Sequence, residues 1–238
     1  MVNNFILGNI LKDGEYMTRI CAVCNHSELS VSADSQFINS LTNKKSINNL
    51  KLCYQDNMII GILGVSEFMT SIGNYSIRNH IQSFMNQYYT AGKEIEFIHM
   101  LIDDLKRLYG KYLYEKPCCL IHFWKEDNTC YAYYYQIYAK RNIFIGNSQV
   151  VFFTDIGNIS VENKALFDIT DKMIVCGDGL RYNPELYQGE YLYPLELSIS
   201  KTKEAVMNNG LETIGGPVYS VQIQDDIQTY IEGKATKW

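Results

Sequence analysis

Thr18-Arg19-Ile20-Cys21-Ala22-Val23-Cys24-Asn25-His26-Ser27-Glu28-Leu29-Ser30-Val31-Ser32-Ala33-Asp34-Ser35 decides how the chain begins to fold. Residues 19 to 25 and 29 to 34 are short runs rich in apolar and β-branched side chains. The polar cluster Asn25-His26-Ser27-Glu28 between them has turn chemistry, so the stretch predicts an antiparallel hairpin. A polar segment from Gln36 to Asn49 follows, and then Leu50 to Tyr54 and Met58 to Leu63 flank Gln55-Asp56-Asn57 as a second hairpin. From Ser66 to Leu108 the pattern changes: Ile95, Ile98, Met100, Leu101, Ile102, Leu105 and Leu108 recur near helical spacing, interrupted earlier by Gly73 and Ala91-Gly92. Two helices are expected, over residues 65 to 89 and 93 to 110.

Beyond Gly110 the strand signal returns in Cys118 to Trp124 and Cys130 to Tyr138, around the turn Lys125-Glu126-Asp127-Asn128. A less regular region from Arg141 to Asp171 precedes the apolar run Met173 to Cys176 and Gly177-Asp178-Gly179. Pro194 to Asn209 reads as a third helix, and Val218 to Ile223 as a final strand. The order is strands, two helices, strands, helix, strand. Without strict βα alternation it argues for an α+β layered domain and against a doubly wound sheet.

The 238 residues are 47% hydrophobic and 20% charged, ordinary globular usage that excludes bulk disorder. A net charge of −5 provides no basic field for phosphates, so no nucleic-acid partner is expected. Apolar runs such as Met58 to Val65 are far too short for a membrane helix, and the N-terminus lacks the pattern of a secretory signal. No membrane association and a soluble cytoplasmic location are expected.

Seven cysteines are an odd number, which points to reduced, buried thiols and away from a disulfide framework. Cys21 and Cys24 alone have metal-ligand spacing, but strand periodicity sends them to opposite faces, and adjacent Cys118 and Cys119 diverge likewise. The four histidines form no i,i+4 pair. Neither a metal nor a cofactor is expected.

Thr18-Arg19-Ile20-Cys21-Ala22, Ser32-Ala33-Asp34-Ser35, Lys51-Leu52 ahead of Asp56-Asn57, and Ile60-Gly61-Ile62-Leu63-Gly64 together resemble the opening of a proteasome β-type subunit. Glu212-Thr213-Ile214-Gly215-Gly216-Pro217-Val218 is similar to that family's closing Gly-Gly turn into its last long strand. The resemblance to proteasome-like N-terminal nucleophile hydrolases spans residues 18 to 224. It implies a four-layer αββα sandwich of two antiparallel sheets between helix layers, with the nucleophile opening the first strand. It further implies a threonine-type peptidase or amidohydrolase acting on a peptide or amide substrate, and a homo-oligomer, with a ring as one form.

By this resemblance Thr18 is the nucleophile, and its own α-amine, once free, helps to move the proton. Asp34 holds the ammonium of Lys51, whose charge lowers the proton affinity of Thr18. Gly64 supplies a backbone N–H to the oxyanion. Counting without gaps puts Leu50 at the lysine position, and Lys51 takes it if the preceding loop has gained one residue. Asp178 stands where the family has a serine between glycines, and Leu211 and Ile214 stand where it commonly has an Asp and a Ser. Two readings therefore stay open, a threonine hydrolase and a catalytically silent assembly or binding subunit.

The resemblance implies an N-terminal extension over residues 1–17 and a proteasome-like domain over residues 18–238. While the extension is attached, the amine of Thr18 is a peptide nitrogen without basicity. The extension is read as a propeptide, as the mark of a silent relative, or as the result of a true start at Met17. An initiator Met before a small residue such as Thr is normally trimmed, which would expose the nucleophile directly.

Overall fold

The computed structural model describes residues 18–38, 45–64, 67–70, 73–112, 118–139, 159–177, 185–208 and 214–237. The extension 1–17, Asp178 and Leu211 lie outside the described residues. In chain order the elements are β1 (Arg19–Cys24), β2 (Leu29–Ala33), β3 (Phe37–Ile38), β4 (Lys45–Ser46), β5 (Leu52–Gln55), β6 (Met58–Gly64), β7 (Glu67–Thr70) and β8 (Gly73–Ser76). Helices α1 (Ile77–Tyr88) and α2 (Glu94–Tyr112) follow, then β9 (Cys118–Glu126), β10 (Thr129–Ala139), β11 (Ile159–Asp168), β12 (Lys172–Gly177) and β13 (Glu185–Gln188). Helix α3 (Pro194–Asn208), β14 (Tyr219–Ile223), β15 (Ile227–Ile231) and β16 (Lys234–Thr236) complete the described chain.

Two sheets carry the fold, one of seven strands in the order β13-β12-β1-β2-β14-β15-β16 and one of five in the order β11-β10-β9-β6-β5. Every pairing within them is antiparallel. The opening hairpin forms with Ile20 opposite Ala33 and Cys24 opposite Leu29. Because side chains alternate along a strand, Ile20, Ala22, Leu29 and Val31 reach one shared core with Leu52, Ile59, Phe123 and Ala132 of the five-stranded sheet. The two sheets bury those faces against each other.

The other face of the five-stranded sheet presents Ile60, Ile62, Leu120 and Trp124 to α1 and α2. Helix α1 meets it with Ile77, Ile81 and Met85, four residues apart and so on one face, and α2 with Phe97, Ile98, Leu101 and Leu105. Ser76 starts α1 by accepting the amide of Asn79. On the seven-stranded sheet α3 packs on a polar floor: Ser32 Oγ lies 2.7 Å from Ser198 Oγ and 2.8 Å from Ser220 Oγ.

Three expectations need correction. Val218 to Ile223 was expected to be the final strand, but β15 and β16 follow it. Residues 65 to 89 were expected to be one helix, but Glu67–Thr70 pairs with Gly73–Ser76 as a hairpin and α1 begins only at Ile77. Disulfide bonding was not expected, yet Cys24 and Cys130 are joined. Cys24 closes β1 on its inward face and Cys130 lies in β10 of the opposing sheet, so two strands 106 residues apart in sequence meet across the core. The other five cysteines are buried and lie outside this bond. Cys21 faces away from Cys24, among Val23, Met173 and Val175, and Cys118 and Cys119 enter different cores.

Candidate active site

Asp34 follows the end of β2, where the backbone turns away from the seven-stranded sheet, and its side chain is wholly buried. Four donors meet it. Oδ1 accepts the Arg19 amide and the Lys51 ammonium, each at 2.8 Å. Oδ2 accepts the amides of Gly215 at 3.1 Å and Gln36 at 3.2 Å. A carboxylate can be buried only when its lone pairs are satisfied in this way, and these contacts aim one oxygen at Lys51.

Lys51 precedes β5 and is also buried. Burial pushes its amine below the ordinary lysine range, while the adjacent Asp34 charge and hydrogen bond pull the other way. Lys51, and not Leu50, carries the charged contact to Asp34, which is the residue chosen by allowing one extra position in the loop. Its carbonyl accepts the amide of Ile62 at 2.9 Å, so Lys51 sits beside β6 two residues before Gly64. Gly64 ends β6 at φ +81°, a left-handed conformation that suits glycine.

Thr18 lies just before β1 and is 2% exposed. Its neighbour Arg19 is bonded twice to Asp34: the Arg19 amide donates to the carboxylate, and the Asp34 amide donates to the Arg19 carbonyl at 3.2 Å. Asp34 and Lys51 are thus joined by a direct ion pair, and the backbone of Arg19, next to Thr18, is joined to Asp34. Gly177, at the end of β12, packs against Thr18 so closely that a Cβ there would stand 1.6 Å from the Thr18 carbonyl oxygen.

The Gly215-Gly216 turn has a role that the sequence did not reveal. Ser35 donates its amide to the Gly215 carbonyl while Gly215 donates to Asp34, so the turn clasps Asp34-Ser35 from both sides. A Cβ on Gly215 would meet Gln36 Oε1 at 2.6 Å, and one on Gly216 would meet Ser35 Oγ at 2.5 Å. Gln36 and the glycines are holding residues. Their only sequence signal was a Gly-Gly pair before a strand. Ile214 is fully buried.

The buried thiols of Cys21, Cys53 and Cys176 are poor competitors as nucleophiles. Burial pushes Cys21 and Cys53 up to about 12 and Cys176 well above its ordinary value. No group of three His, Cys, Asp or Glu side chains suited to a metal occurs among the described residues. No helix among them is long and apolar enough to cross a membrane.

Fold and site together define a two-sheet α+β protein with a buried carboxylate–lysine pair beside the start of its first strand. No protein-family model matches the chain, and no curated protein matches it in sequence. Among solved structures it is similar to a Gly-1 mutant of Anbu from Hyphomicrobium sp. strain MC1. That likeness has a TM-score of 0.49 and 13% identity, and covers 92% of this chain and 85% of the other.

Proposed function

We propose that the chain is a proteasome-like hydrolase of the N-terminal-nucleophile type, a peptidase or amidohydrolase in which Thr18 is the nucleophile once its α-amine is free. The observation that carries this reading is the buried Asp34–Lys51 pair, tied by the Arg19 amide to the residue next to Thr18. A buried lysine is unfavourable for a scaffold to keep, because burial removes hydration that one ion pair does not fully replace. Beside a hydroxyl its charge has a use.

In the reaction Thr18 Oγ attacks the carbonyl carbon of an amide, and the hydroxyl proton passes to the free α-amine. Lys51, still charged, favours the alkoxide as it forms, and Asp34 keeps the ammonium in place. The Gly64 N–H donates to the oxygen that becomes negative. Collapse of the intermediate breaks the C–N bond, gives the proton to the leaving amine and leaves an ester on Thr18. Water then attacks the ester and restores the hydroxyl.

With this activity belong the four-layer αββα arrangement, with α1 and α2 outside one sheet and α3 outside the other, a homo-oligomer with a ring as one form, and a cytoplasmic location. A silent assembly or binding subunit is the second reading, favoured by the complete burial of apolar Ile214 where the resembled family commonly has a Ser. A threonine-directed electrophile separates the two. On a chain starting at Thr18 the label should map to Thr18 and disappear in Lys51→Met; absence of label on the folded protein would favour the silent subunit.

A further inference from the structure

Tyr75, His80 and Asp104 form a hydrogen-bonded chain outside the Thr18 site, with Tyr75 packed at the edge of the core under α1 and α2. Tyr75 comes from β8, His80 from α1 and Asp104 from α2. The Tyr75 hydroxyl lies 2.5 Å from His80 Nδ1, and His80 Nε2 lies 2.5 Å from Asp104 Oδ2. The second Asp104 oxygen accepts from Arg107 Nη2 at 3.1 Å, which orients the carboxylate.

The order of these groups allows a proton to pass from the phenol towards the carboxylate. In the tautomer with Asp104 ionised and His80 neutral, Nε2 carries the hydrogen that the carboxylate accepts and Nδ1 keeps its lone pair. That lone pair faces the phenol, and the phenol therefore donates to His80. This is the arrangement that activates a hydroxyl nucleophile: a base within hydrogen-bond reach and a third group that orients the base. His80 and Asp104 are only about one-fifth exposed, at 19% and 22%, so the relay is shielded from bulk water yet close to the surface.

We propose that Tyr75 is a second nucleophilic site, activated by His80 and Asp104, that accepts a sulfonyl or phosphoryl group from an activated donor. A hard phenolate oxygen favours such tetrahedral centres, and the resulting aryl esters persist. With an arylsulfonyl fluoride, Tyr75 oxygen forms a bond to sulfur, the S–F bond breaks, and fluoride leaves with the electron pair. The phenol proton passes to His80 Nδ1, and Asp104 holds the imidazolium until solvent removes the proton.

The test treats the full chain with an arylsulfonyl fluoride and maps the modified peptides over time. Mapping separates Tyr75 from Thr18, so the outcome does not depend on the hydrolase reading. Tyr75 should be labelled faster than Tyr193, which is 70% exposed. His80→Gln should slow labelling of Tyr75 by roughly 10²-fold while Tyr193 is unaffected, in line with the loss of a general base. In His80→Gly, added imidazole should restore the rate, and Asp104→Asn should lower it. A merely structural link would not respond to imidazole. Labelling that follows exposure, with Tyr193 ahead of Tyr75 on the unmodified chain, would overturn the proposal without any variant. So would an unchanged Tyr75 rate in folded His80→Gln.

Discussion

Lys51 Nζ lies 2.8 Å from Asp34 Oδ1 with both side chains out of solvent, at 6% and 0% exposure. In such a pair each charge is tolerable only because of the other. Removing one partner leaves an uncompensated buried charge, at about 3–5 kcal/mol, whereas removing both is far less damaging. Urea unfolding of Lys51→Met, Asp34→Asn and the double variant should therefore show a double-variant loss well below the sum of the singles. Additive losses would mean that the two groups do not interact in the folded protein.

The same burial gives Lys51 a pH signature. Its folded proton affinity is below that of the unfolded lysine, so the unfolded chain holds more protons between the folded value and the ordinary value of about 10.4. Stability should rise with pH across that window, an increment missing from Lys51→Met. Denaturant titrations at several alkaline pH values check this.

His122, on β9, works in the acid range. It is fully buried and neither ring nitrogen has a hydrogen-bond partner among the described residues. Burial pushes its proton affinity down to about 3. As pH falls below about 6.5 the unfolded chain takes up a proton that the folded one refuses, so stability drops by up to about 1.4 kcal/mol per pH unit until about 3. His122→Phe should flatten that part of the curve relative to the unmodified protein, read as the midpoint of unfolding from pH 7 to pH 4.

Gly177 and Gly92 make a matched pair of tests. Both have positive φ, +96° and +83°, but a Cβ at Gly177 collides with the Thr18 carbonyl whereas one at Gly92 meets nothing within 4 Å. Gly92→Ala should lose only the backbone preference, about 1–2 kcal/mol. Gly177→Ala should lose more, because it must also displace the start of β1. Equal losses would show that Thr18 is not held against β12.

The Cys24–Cys130 bond closes a loop of 106 residues, for which the chain-entropy argument allows about 5 kcal/mol at most. The oxidised chain should be lighter by two hydrogens than the reduced one, and a reductant should lower its thermal midpoint. Cys24→Ala should be insensitive to reductant. Two free thiols at these positions in the isolated, air-exposed protein would contradict the bond.

Much of this was legible from side-chain alternation. The opening hairpin was legible, and its inward face proved to be Ile20, Ala22, Leu29 and Val31, while Asp34 and Lys51 were singled out by the family resemblance and lie in contact. Residues 65 to 76 misled because Val65, Phe68, Met69 and Ile72 mimic the i, i+3, i+4, i+7 stripe of a helix, although Gly73 and Ser76 belong to a hairpin and a cap. β15 and β16 were missed because Gln228, Thr229, Glu232 and Gly233 carry little apolar signal. The disulfide and the Tyr75–His80–Asp104 chain escaped for another reason. Each joins elements that only the folded topology brings together, and no local pattern encodes such a meeting.

The central claim is that Thr18 becomes a nucleophile when its amine is free, and the most direct measurement compares two chains on small peptide amides. One begins at Met17 and is trimmed to Thr18, as confirmed by intact mass; the other begins at Met1. The account predicts amide hydrolysis by the trimmed chain, none by the long one, and none by a trimmed chain carrying Thr18→Ala. A correctly folded and assembled trimmed chain that hydrolyses no amide and takes up no threonine-directed label would contradict it, and would leave the scaffold reading in its place.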